Sequence, residues 1–284
     1  MTMRDMINAT AWASPGFTDD DLTIFARHGA PAIPPAAVQS HVEHDGARIW
    51  YASIGSGNPV ILLHGGLGNA GNWGHQIQPL LEVGHRVILI DTRGHGRSTR
   101  DDKRYTYQLL ASDVLAVMDH LAIAKAALVG WSDGACTALI LGDEHPKRVA
   151  GVFFFGCNMD PSGTLPFVPT PVIDNCFARH RQDYADLSAT PGEFDAFVEA
   201  VGAMQRTEPN YTSGDLAAIQ VPVTIVHSAG DEFIKPEHAS YLAASIPGAE
   251  LVTLPDVTHF APLQRPAMFN AVLLSQLERW RAPA

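Results

Sequence analysis

Residues 128–137 read LVGWSDGACT, centred on Gly130-Trp131-Ser132-Asp133-Gly134. A serine stands there with a glycine two positions away on either side. With 24 glycines in 284 residues, chance alone produces such a pentapeptide in about one chain in ten of this size, so its surroundings must decide. It follows AALV (126–129), a short apolar run of strand type, and precedes a helical run, ACTALIL (135–141). A strand that hands over to a helix through one tight turn needs positions without side chains where the two backbones cross. The serine on such a turn sits at a helix N-terminus, where free N–H groups and the positive dipole favour charge developing on a substrate oxygen. The plainer alternative is an N-cap serine, and the strand–turn–helix setting speaks against it.

Similar apolar runs recur on either side: PVILL (59–63), RVILI (86–90), VAGVFFF (149–155), PVTIV (222–226) and ELVTL (250–254). Between them apolar residues return at helical spacing, as in Leu110, Val114, Val117, Met118 and Leu121, and again in Phe269, Val272, Leu273, Leu277 and Trp280. Strands that are apolar throughout require a sheet covered on both faces. The predicted class is therefore α/β, with a mostly parallel central sheet flanked by helices. Ahead of it, Ser40–Glu43 and Arg48–Ser53 joined at Asp45-Gly46 predict an antiparallel hairpin. Residues 1–39 form a lead segment, with a short helix near Asp19–Arg27 and a proline-rich stretch, APAIPPAAV (30–38), expected as an extended surface arm. The strand rhythm breaks between Phe155 and Pro222. A loop that long needs structure of its own, and a helical patch lies near Glu193–Gln205. Residues 159–213 are thus predicted as a small helical cap inserted into a core of 40–158 and 214–284.

Bulk properties narrow the function. A net charge of −11 disfavours nucleic-acid binding, which needs clustered cations. The one compact basic group, Arg93, Arg97, Arg100, Lys103 and Arg104, is interrupted by Asp101 and Asp102 and reads as a solvated loop. Cys136, Cys157 and Cys176 lack metal-ligand spacing and read as packing residues in a reducing compartment. The N-terminal stretch lacks a signal-peptide core, and the longest apolar runs fall short of the roughly 20 residues that span a bilayer. The expectation is a cytoplasmic protein acting on a small molecule, with no metal, organic cofactor, membrane or nucleic acid.

A serine is a weak nucleophile without a base. Among thirteen histidines the best placed is His259, in the PDVTHF loop between the last strand and the final helix. The histidine in turn needs an acid to hold its tautomer. Asp231, at the carboxyl end of PVTIVHSAG, is the first choice, with Asp256 and Asp160 as rivals. Oxyanion donors are expected from the backbone N–H of Asp133 and from Gly66, in the His64-Gly65-Gly66 loop after PVILL. Trp73, Trp131, Phe167, Phe177 and Phe260 are candidates to line an apolar substrate pocket. The Asp133 side chain has two readings: a solvated acid stabilising the first turn of its helix, or a pocket residue that pairs with a cationic or amino-bearing substrate.

Together these residues resemble the α/β-hydrolase fold superfamily over about residues 40–284. The resemblance rests on HGG (64–66), DTRGHGRS (91–98), GWSDG (130–134), and Asp231 with His259, in the chain order Ser, Asp, His. Within the superfamily the chain is similar to the serine-hydrolase branch, in particular the carboxylesterase and biphenyl-hydrolase-like groups. A serine in place of an aspartate nucleophile sets it apart from haloalkane dehalogenases and epoxide hydrolases. The resemblance implies cofactor-free hydrolysis of an ester, lactone, thioester or amide through an acyl-enzyme on Ser132. C–C bond hydrolase, iminopeptidase-like and acyltransferase activities with the same triad remain alternatives, as does a receptor-like module that binds and scarcely turns over.

Overall fold

The computed structural model describes residues 20–280. The lead segment enters it as α1 (Asp20–His28), so the short helix expected near Asp19–Arg27 is present, with residues 1–19 outside the described range. After the proline-rich stretch come β1 (Val38–His44) and β2 (Ala47–Ile54), an antiparallel pair turned at Asp45 and Gly46, both with positive φ. The chain continues through β3 (Pro59–Leu63), α2 (Gly74–Glu82), β4 (Arg86–Ile90), α3 (Tyr107–His120), β5 (Ala126–Trp131), α4 (Asp133–Glu144) and β6 (Val149–Phe155). Two longer helices, α5 (Pro171–Leu187) and α6 (Phe194–Gln205), and the short α7 (Ser213–Ala218) follow before the strand pattern resumes. It closes with β7 (Val223–Gly230), α8 (Pro236–Ser245), β8 (Glu250–Thr258), α9 (Ala261–Gln264) and α10 (Pro266–Arg279).

The eight strands form one sheet in the order β1-β2-β4-β3-β5-β6-β7-β8. The first two pairings are antiparallel and the rest parallel. Alternate residues of the central strands enter opposite halves of the core. Ile61 and Leu63 of β3 pack with Leu110, Val114 and Leu139 under α3 and α4, while Val60 and Leu62 pack with Ile77, Phe269 and Leu273 under α2 and α10. This two-sided burial is why these strands read as unbroken apolar runs. The edge strand β8 is covered less and alternates between buried and exposed positions, leaving Leu251 open to solvent.

The loop after β4 corrects one expectation. Lys103 and Arg104 are exposed, as a solvated loop requires, but the other basic residues are not. Arg93 is fully buried and holds Asp113 of α3 through two bonds, Nε at 2.9 Å and Nη2 at 2.7 Å. Arg97 pairs with Asp91 at 2.9 Å and lies over the Trp50 ring. Asp91 accepts from Ala70 N (2.7 Å) and from Arg97 N (2.8 Å), which ties this loop to the one following β3. No helix among the described residues is long and apolar enough to cross a membrane.

Candidate active site

Ser132 is the single residue between β5 and α4, and it takes φ 54°, ψ −124°, a backbone region that non-glycine residues seldom occupy. Its N–H donates to Phe155 O (2.8 Å), prolonging the β5–β6 ladder, while its carbonyl already accepts from Ala135 N (2.7 Å) in the first helical turn. The flanking glycines permit that crossing. A Cβ at Gly130 would lie 2.3 Å from Gly134 O, and one at Gly134 would lie 2.2 Å from Leu63 O. The turn thus presses α4 against the end of β3 and lifts the serine side chain towards the carboxyl ends of the strands.

His259 follows β8, and its Nδ1 lies 3.0 and 3.1 Å from the two carboxylate oxygens of Asp231. Asp231 is held in turn, its Oδ1 accepting from Phe233 N (2.9 Å) and Ile234 N (3.0 Å). It caps no helix, since α8 begins after Lys235. Neither rival carboxylate stands at this histidine: Asp256 is exposed, and Asp160 bonds Ser162 N and faces His238. Burial works to lower the His259 pKa, but the charge and hydrogen bond of Asp231, with Glu232 and Asp133 beyond, hold it above its ordinary value. Burial likewise works to raise the Asp231 carboxyl, and His259 with the two backbone donors outweighs it, so that group is held low. With Nδ1 committed to Asp231, the ring has Nε2 left for chemistry.

Ser132 and His259 line one cavity of about 600 Å³ at the carboxyl ends of the strands. Gly66 and Asp133 lie on the same wall, next to each other. A Cβ on Gly66 would sit 2.6 Å from Asp133 Oδ2 and 2.7 Å from Gln205 Nε2. Asp133 opens α4, so its N–H has no acceptor within the helix. The glycine loop is steadied by His64. Thr92 N donates to His64 Nε2 (3.1 Å), which leaves the ring proton on Nδ1 to bond Gly65 O (2.8 Å). Burial keeps this imidazole below its usual pKa despite the nearby Asp91 charge, so it remains a neutral strut.

Of the aromatic residues expected at the pocket, Trp131, Phe167, Phe177 and Phe260 do line it. Trp73 does not. It is fully buried behind the wall, edge-on to Trp131 at 6.1 Å and against Phe269. Nor is the Asp133 carboxylate a solvated acid. It faces the cavity, is only 6% exposed, and accepts from Tyr107 OH (2.8 Å) and Gln205 Nε2 (2.9 Å). Burial raises its pKa against those two bonds and the pull of His259.

Sequence reading missed several residues here. Glu232 accepts the His259 backbone N–H at 2.9 Å. Tyr107 reaches the site from the start of α3, Gln205 from the end of α6, and His180 from α5. For His180 a signal existed, because it lies three positions after Phe177 and shares its helix face. The cysteines are free and buried, with Cys136 and Cys157 Sγ atoms 3.1 Å apart.

Comparison with known proteins agrees with this architecture. The sequence pattern of the alpha/beta hydrolase fold family matches residues 58–202. A 2-hydroxy-6-oxononadienedioate/2-hydroxy-6-oxononatrienedioate hydrolase of Pseudomonas putida is 27% identical over 271 residues, covering 81% of this chain and 92% of its own length. A non-heme haloperoxidase of Rhodococcus erythropolis is 27% identical, covering 82% and 97%. The solved structure of an N-acyl homoserine lactone degrading enzyme superposes with a TM-score of 0.65 at 31% identity, covering 83% of this chain and 99% of that one. A strained serine between strand and helix, a histidine–aspartate pair on later loops, and a match across half the sequence converge on one assignment: the chain belongs to the α/β-hydrolase fold family.

Proposed function

We propose that this α/β hydrolase is a serine esterase that cleaves a carboxylic ester or lactone of a small molecule through an acyl-enzyme, with no metal or organic cofactor. The observation that carries the reading is the strained Ser132 sharing one cavity with a histidine already bound and oriented by Asp231. Ser132 Oγ attacks the carbonyl carbon as His259 Nε2 takes its proton, and Asp231 stabilises the imidazolium that forms. The N–H groups of Gly66 and Asp133 receive the oxyanion, a contact whose loss lowers kcat by roughly 10²–10³ per donor. His259 then protonates the leaving group, and water, deprotonated by the same histidine, releases the acid. Residues 159–213, carrying α5 and α6, act as the cap that closes the cavity from above.

C–C bond hydrolysis, suggested by the Pseudomonas relative, fits less well. That relative's name denotes a dicarboxylate. Among the described residues, the charged groups on this cavity wall include Asp133, Glu199 and Glu208, and the Arg206 guanidinium there is already paired with Glu199 at 2.6 Å. A dianion entering that wall would meet like charge.

A fluorophosphonate probe read by intact mass tests the proposal together with a panel of esters, lactones and vinylogous diketo acids. One adduct is expected on the wild type and none on Ser132→Ala, with turnover confined to esters and lactones. An undiminished adduct on Ser132→Ala, or turnover of the diketo acids alone, would overturn it.

A further inference from the structure

The side of the cavity next to His259 is built differently from the side next to Asp133. Phe167 on the loop before α5, Phe177 on α5 and Phe233 after β7 form a continuous aromatic wall. Phe167 stacks on Phe177 (centroids 6.3 Å apart, planes 12°) and on Phe233 (6.1 Å, 20°), and Phe177 lies 6.5 Å from Phe233. Phe233 meets the His259 ring edge-on at 4.7 Å. Backbone contacts fasten the wall. Leu165 N donates to Phe233 O (2.7 Å), and Thr164 bridges to Ile234, so the loop holding Phe167 is fixed to the turn holding Phe233. The apolar surface runs on to solvent, with Phe167 57% exposed. Elsewhere the lining carries a hydrogen-bonded polar cluster, Asp133 with Tyr107 and Gln205, beside the aliphatic Val198 and Val201 of α6, with no comparable run of aromatic rings among the described residues.

The chemistry assigns the two halves of a substrate to these two sides. Once Ser132 Oγ has bonded the carbonyl carbon and the oxyanion points to Gly66 and Asp133, the leaving oxygen must lie within reach of His259 Nε2 to be protonated. The group that oxygen carries therefore sits beside Phe233. We propose that Phe167, Phe177 and Phe233 bind the alcohol half of the ester, making esters of aryl and arylalkyl alcohols the preferred substrates. The inference rests on the ester-hydrolase reading. The C–O bond to the alcohol breaks, the serine proton held on His259 goes to the alcohol oxygen, and the acyl group stays on Ser132. Water then returns hydroxyl to the acyl carbon and a proton to Oγ. An aromatic alcohol gains twice, through burial of its ring and through stacking on rings already held in place.

Benzyl acetate, 2-methoxyethyl acetate and ethyl phenylacetate separate the halves, because the first two share an acyl group and have leaving alcohols of similar acidity. For benzyl over 2-methoxyethyl acetate we expect kcat/KM to be about tenfold higher, mostly through KM. Phe167→Ala, at a half-exposed position where folding is little at stake, should shrink that ratio towards one. Leu251→Ala, an exposed apolar position on β8, should keep it. A ratio near one in the wild type, or a ratio untouched by Phe167→Ala, overturns the proposal. So does an aromatic preference confined to the acyl half, seen as faster ethyl phenylacetate alone. Free benzyl alcohol, followed by ligand-observed NMR, reads the wall without turnover. Binding lost in Phe167→Ala supports the wall even if no ester is cleaved, an outcome that would retire the esterase reading alone. No binding to the wild type overturns the wall even if esters are cleaved.

Discussion

In the proposed mechanism the base is His259, and its strength depends on how the imidazole is held. His259 is buried, which by itself would make it a weaker base, yet the Asp231 carboxylate at 3.0 Å keeps its pKa above the ordinary 6.5. The sign of the pH effect follows, since the base must be unprotonated to accept the serine proton. Activity should fall as pH drops, with the midpoint of the acid limb of kcat/KM above 6.5. Asp231→Asn removes the charge and leaves burial in command. Its limb should move to lower pH while kcat falls by roughly 10⁴. A pH–rate profile of the two proteins checks this, and an unmoved limb would count against Asp231 as the partner that matters. Asp133 illustrates a different economy. Its carboxylate joins α3 to α6 through Tyr107 and Gln205, while its backbone N–H is the proposed oxyanion donor.

Among the elements, the turn that carries Ser132 depends on a crossing with no room for a methyl group. Gly130→Ala would place a Cβ 2.3 Å from Gly134 O and 2.4 Å from the Ala135 Cα, both backbone atoms that cannot swing aside. We expect a loss of about 3 kcal/mol, read as a lowered Tm. Gly192→Ala, where a Cβ would meet nothing within 4 Å, should leave the Tm nearly unchanged. The strands and this turn were legible in the sequence because burial on both faces and a steric crossing each leave a local mark. PVILL, RVILI and VAGVFFF match β3, β4 and β6 end to end, whereas β7 and β8 run beyond their apolar runs, β8 as the edge strand whose pattern alternates. The triad candidates were legible from their places at strand ends. The neighbours of Asp133 were not, because Tyr107 and Gln205 meet it only through the docking of α3 and α6. Arg93 misled for a similar reason: its partner Asp113 lies on another element, and nothing near Arg93 in sequence announces it.

For the molecule as a whole, the lead segment has an evident structural part. Helix α1 packs on α5, with Leu22 and Phe25 buried and Phe25 edge-on to His180 at 5.8 Å. The α5 and α6 side of the cavity is thus tied from two directions, by α1 through His180 and by α4 through Gln205. Phe25→Ala should cost about 3 kcal/mol and loosen the α5 side. KM should rise several-fold with kcat little changed, measured by steady-state kinetics, and a fall in kcat at constant KM would contradict this. The same contact joins parts of the chain that are made far apart in time. Helix α1 is synthesised well before α5, and at ribosomal speed the interval is roughly ten to thirty seconds. Throughout it Leu22 and Phe25 have no seat. On the nascent chain this apolar pair therefore waits for its partner helix, a demand set by the order of translation and invisible in the finished molecule.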